Sequence, residues 1–208
     1  MSKIILYSIA FLTGFAVMAY EILGVRVLAP YYGSSIHVWG AIISVFLAGL
    51  SVGYAAGGRL ADRNAGIFTL SKIILIPSAL IVLFPFYGYF LCRLFYNHLE
   101  HSRLGALLLS ITLFMLPCIF MGAALPILVK MLATDSGRIG SAAGNVYSIS
   151  TAGSIAGTIF TSFFLISLVS VSKGIMLNGL LLAACWLLCL LYDKGSVKNN
   201  GLGNQNPE

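Results

Sequence analysis

The chain has 208 residues, of which 59% are hydrophobic and only 9% charged, and its mean hydropathy is +0.98. Soluble domains carry about 25% charged residues, so the composition excludes an ordinary soluble domain and leaves no stretch within these residues for a separate soluble catalytic unit. The net charge of +6 comes from 12 Lys and Arg against 6 Asp and Glu, but the basic residues stand singly at the ends of apolar runs, with none of the clustering that nucleic-acid binding needs.

A helix that crosses a bilayer needs about 20 apolar residues. The sequence offers six such runs, at about 4–28, 37–58, 72–95, 104–130, 139–169 and 174–192. The expected class is an all-α polytopic membrane protein. Residues 1–192 form one six-helix transmembrane domain. Residues 193–208, rich in Gly, Asn and Lys, form a polar cytoplasmic tail expected to be disordered.

The first run begins like a secretory signal, with Lys3 ahead of apolar residues. From Ile4 to Leu28 it is longer than a signal's apolar core, and it reads as an uncleaved first span. Inside it lie Tyr20 and Glu21. A carboxylate at such a depth costs roughly 2.5–3.5 kcal/mol on insertion scales, so it marks either a structural helix-pinning contact or a ligand, ion or proton site. Arg26 follows five residues later, about 140° around an ideal helix. The two share a face only if Gly24 and Pro30 let the helix unwind. Otherwise Glu21 is expected to meet a donor on another helix.

The first loop, Ala29 to His37, holds the helix breakers Pro30 and Gly33, two capping candidates in Ser34 and Ser35, and aromatics suited to a membrane interface. The second run carries Gly49, Gly53 and Gly57, a spacing that admits a close neighbour. It ends in the polar turn Gly57 to Arg63. The third contains Pro77 and Pro85 and reads as a bent, lipid-facing helix. His98, Glu100 and His101 follow it, but adjacent residues diverge on a helix, and no metal site is expected. Cys92, Cys118, Cys185 and Cys189 lie in or beside apolar runs and read as packing residues.

The fourth run, with Pro117 and Pro126, reads as a cavity wall, because freed backbone groups in a membrane must be satisfied nearby. The fifth is the most polar, with Asn145, Tyr147, Ser148, Ser150, Thr151 and Ser154 beside Gly153 and Gly157. Its hydroxyls either bond their own backbone or line a pocket. The sixth is apolar apart from Asn178. In each triplet of runs the middle one is rich in Gly and small residues, a weak sign of a 3+3 repeat like half of a major facilitator transporter.

Basic residues set orientation. With the N-terminus inside, Lys3, Arg59, Arg63, Lys72, Lys130, Arg138, Lys194 and Lys198 are cytoplasmic, against Arg26, Arg93, Arg103 and Lys173 outside. Both termini are then cytoplasmic, and Glu21 lies near the outer leaflet.

The segments Tyr20 to Ser35, Val45 to Gly53, Gly58 to Arg63, Phe120 to Pro126 and Gly144 to Tyr147, in this order, resemble the membrane domain of bacterial spermidine-synthase-like fusion proteins over roughly residues 8–170. The resemblance implies a bacterial inner-membrane location and a link to polyamine chemistry. The family's soluble domain, which binds S-adenosylmethionine or a decarboxylated relative, has no counterpart in this sequence: no Gly-x-Gly-x-Gly loop follows a soluble strand. Aminopropyl transfer by this chain alone is not expected. Ser150 stands where the family tends to have Asn. The turn Gly58 to Arg63 also resembles the one between the second and third helices of major facilitator transporters.

Three functions fit these features. The first is a small-molecule transport module for a cationic or polyamine-type substrate, with Glu21 as its charged site. The second is a scaffold for a separately encoded spermidine-synthase-like partner. The third is an intramembrane enzyme acting on a lipid or lipoprotein near the outer leaflet. The candidate substrate-binding residues are Glu21, Arg26, His37, Tyr20, Asn145, Tyr147 and Ser150. No cofactor is expected. The expected partners are the lipid bilayer, further copies of the chain, and that synthase-like protein.

Overall fold

A computed structural model describes the backbone of residues 2–99, 103–133 and 139–202, and the side chains of 3–99, 104–133 and 139–191. Six of its helices are long and apolar enough to cross a membrane: α1 (Lys3–Tyr32), α2 (Ile36–Asn64), α3 (Ile67–Leu99), α4 (Leu104–Leu132), α5 (Ile139–Leu168) and α6 (Val171–Leu191). Among the described residues there is no strand. The chain is an all-α polytopic membrane protein. Most helices outrun the apolar stretch that announces them, since polar residues continue the backbone hydrogen bonding beyond the hydrocarbon. Helix α2 thus extends through Arg63 to Asn64, and the backbone of α6 stays helical to Leu202, inside the stretch read as a tail.

Helix α1 is unbroken to Tyr32 with Pro30 inside its last turn. The unwinding that would align Glu21 with Arg26 does not occur. The chain reverses at Gly33, where φ is +75°, the only positive φ among the described residues. That is left-handed backbone, which glycine adopts without penalty. Helices α4 and α5 each contain one wide π turn, Ile111–Met115 and Thr161–Leu165. The first lies just ahead of Pro117, whose missing N–H leaves an irregular ladder, and the helix continues through it.

The helices associate most extensively as α1 with α5, α2 with α4 and α3 with α6. Lesser contacts join α1 to α6 and α4 to α3, and then α1 to α2 and α4 to α5. Exchanging the first three helices for the last three leaves this pattern unchanged. Helices α1 and α4 hold the centre, with α2 and α5 outside them and α3 and α6 behind. Burial follows position: the most apolar window of α1 is 61% buried and that of α5 only 22%.

Small residues set the closest approaches. Gly153 and Gly157 lie on the backbone at Phe11 and Phe15, and Gly53 and Gly57 lie on the backbone at Ile119 and Ala123. A Cβ at any of the four would collide with main-chain oxygen, which cannot rotate away. Hydroxyl and amide groups bond across the same seams. Ser154 Oγ donates to the Gly14 carbonyl at 3.2 Å, Ser78 Oγ to Gly179 at 3.1 Å, and Asn178 Nδ2 to Ala16 at 3.0 Å. The centre is aromatic: Tyr20, Phe46, Phe84 and Phe114, one from each of α1 to α4, meet with the Tyr20 and Phe114 centroids 5.2 Å apart.

Candidate functional site

Glu21 follows Tyr20 by about 100° around α1, and this step separates two environments. The Tyr20 ring enters the aromatic core, is fully buried, and leaves its hydroxyl without a hydrogen-bond partner among the described residues. Glu21 is half-buried, within electrostatic reach of Cys118 on α4. One turn beyond, Gly24 abuts the Phe114 ring.

The expected donor from another helix is not there. Among the described residues the one ion pair joins Lys130 to Asp62 at 3.4 Å, on exposed side chains at the end where α2 and α4 finish. Among the described residues Glu21 takes part in no hydrogen bond or ion pair, yet its carboxylate oxygens are not sealed off from the surface. A carboxylate so placed can take a proton or accept a cation from outside the chain.

The other candidate residues lie in separate places. Arg26 is exposed and lines a hollow of about 300 Å3 at the end of the bundle where α1 meets α2, together with Ile22, Val25, Ala29, Ser34, Trp39, Ser162 and Ile166. His37 is exposed on the first turn of α2 and does not line that hollow. Ser150 is 7% exposed and closes on Gly14 of α1. Asn145 is exposed. Tyr147, 45% exposed, lines a second hollow of about 250 Å3 at the opposite end, beside Gly58, Asp62, Pro126 and Lys130. It also lies within electrostatic reach of Tyr54 on α2. The seven residues thus occupy the middle, both ends and the interior, and do not converge on one pocket.

Sequence reasoning missed Cys118, Trp39 and Ser162 as neighbours of charged groups. No local signal marks them, because each reaches its place through helix pairing. All four cysteines are buried and free. Among the described residues no group of three or more His, Cys, Asp or Glu could hold a metal, and Glu100 and His101 lie outside them. Comparison with protein-family models, curated proteins and solved structures finds no match to this chain.

Proposed function

We propose that the chain is a membrane transport module for a cationic small molecule, with Glu21 as the charge that receives it. The observation that carries this reading is the half-buried Glu21 carboxylate, unpaired among the described residues and still open at its oxygens. Coulombic attraction strengthens as the local dielectric falls, so a carboxylate at this depth favours a cation that brings its own positive charge. The neighbouring helices suit movement. Glycines bring α5 onto the backbone of α1 and α2 onto that of α4, seams with few side chains to block a shift, and α1 carries Glu21.

The sequence resemblance to the membrane domain of spermidine-synthase-like proteins favours a polyamine as the cation. That is an argument from family likeness, subordinate to the carboxylate itself. The same likeness and the distribution of basic residues support a bacterial inner-membrane location with both termini cytoplasmic. A second copy of the chain is the natural cover for the exposed α2 and α5 faces. A separately encoded synthase-like protein would meet the cytoplasmic ends of α2 and α4, at Arg59 to Arg63 and from Lys130 onward.

Uptake of labelled spermidine and putrescine into proteoliposomes tests the reading. Glu21→Gln keeps the shape and removes the charge. It is expected to lower uptake at least tenfold, about 1.4 kcal/mol, while the protein still inserts and keeps its helical circular dichroism. Uptake equal to wild type in the Gln variant removes Glu21 from the mechanism.

A further inference from the structure

The hollow at the α1–α2 end has a composition that Glu21 does not explain. Its one charged wall residue is Arg26, which has no hydrogen bond or ion pair among the described residues. The unbroken course of α1 turns Glu21 about 140° away, so Glu21 does not neutralise the guanidinium. Ser34 from the α1–α2 loop and Ser162 from α5 bring two hydroxyl donors to the same hollow, and Ile22, Val25 and Ile166 make its walls apolar. Trp39, 41% exposed, stands at its margin. A volume of about 300 Å3 lies at the small end of ligand pockets.

A fork of guanidinium N–H groups beside two hydroxyls matches the oxygens of a phosphate, which Arg can engage in bidentate fashion. The apolar walls match the carbon stem that carries such a group when it belongs to an amphiphile. We propose that this hollow binds a phosphate-bearing anion, seated on Arg26, Ser34 and Ser162, at a site separate from Glu21. The same chemistry is offered by a phospholipid headgroup and by free phosphate, and the two are separable by experiment.

Trp39 and Trp186 are the two tryptophans of the chain, so Trp186→Phe leaves Trp39 as a reporter within the hollow. The Trp186→Phe protein, reconstituted in phosphatidylcholine bilayers, is titrated with brominated phosphatidylglycerol or brominated phosphatidylcholine while Trp39 fluorescence is read. The anionic lipid is expected to quench with about fivefold higher apparent affinity, the increment that one well-placed basic residue provides. Arg26→Gln should bring the two lipids to parity, and Arg26→Lys should keep part of the preference.

Ala29→Leu fills the hollow and leaves the charge in place, so a seated headgroup loses its advantage there too. Reversal of the quenching by millimolar inorganic phosphate assigns the site to the free anion. Quenching that phosphate leaves untouched assigns it to the lipid. Equal quenching by both lipids before any change to Arg26, or a preference that survives either Arg26→Gln or Ala29→Leu, overturns the site.

Discussion

The Tyr20 ring packs against Phe46, Phe84 and Phe114, and its buried hydroxyl has no hydrogen-bond partner among the described residues. A buried hydroxyl left unmade is a liability of about 1–3 kcal/mol. Tyr20→Phe should therefore hold stability constant or raise it by about 1 kcal/mol, whereas Tyr20→Ala should lose about 3–5 kcal/mol by opening the ring cluster. Denaturant titration of the purified protein, followed by circular dichroism, measures both. A Phe variant weaker than wild type would mean that the hydroxyl bonds something beyond the described residues. Asn178 is half satisfied: its Nδ2 donates to the Ala16 carbonyl and ties α6 to α1, while its Oδ1 is buried without a partner among the described residues. Asn178→Leu should lower stability by about 0.6–1.7 kcal/mol in the same titration, the range for interhelical bonds in membranes. Glu21 was legible in the sequence because a lone carboxylate stands out in an apolar run. Its lack of a donor was not, since that depends on which face of α4 comes to rest beside it.

Glycines separate at the level of the helix into two kinds that look alike in sequence. Gly53 and Gly153 lie on the main chain of a neighbour, while Gly40, Gly58, Gly140 and Gly144 have open space where a Cβ would go. Gly53→Ala and Gly153→Ala should each destabilise the protein by about 1–3 kcal/mol through overpacking. Gly144→Ala should instead gain up to about 1 kcal/mol, from helix propensity alone. Thermal melts of the three variants in one detergent check the contrast, and equal behaviour would contradict the close seams. The four-residue spacing of Gly49, Gly53 and Gly57 told in advance that α2 has a narrow side, but not that α4 fills it. The π turns were less legible. Pro117 hinted at irregularity in α4, while Thr161–Leu165 in α5 contains no proline and has no sequence mark we can identify.

For the molecule as a whole, six spans follow from composition, and their number and order agree with the apolar runs of the sequence. Orientation is a matter of charge. The basic residues near the α2–α3 turn and the end of α4 outnumber those at the opposite end, so Asn64 should face the cytoplasm and Ser34 the outside. All four native cysteines are buried and should stay silent to a membrane-impermeant maleimide. Ser34→Cys should then label in intact cells, and Asn64→Cys only after permeabilisation. The reversed result would invert the protein and move Arg26 to the cytoplasmic leaflet. The exchange pattern, in which α1 corresponds to α4, α2 to α5 and α3 to α6, has a geometric corollary. Three is an odd number of crossings, so the second triplet runs through the bilayer upside down relative to the first. Any tilt of α5 against α1 that parts the bundle toward one side has a mirror counterpart in α2 against α4 that parts it toward the other.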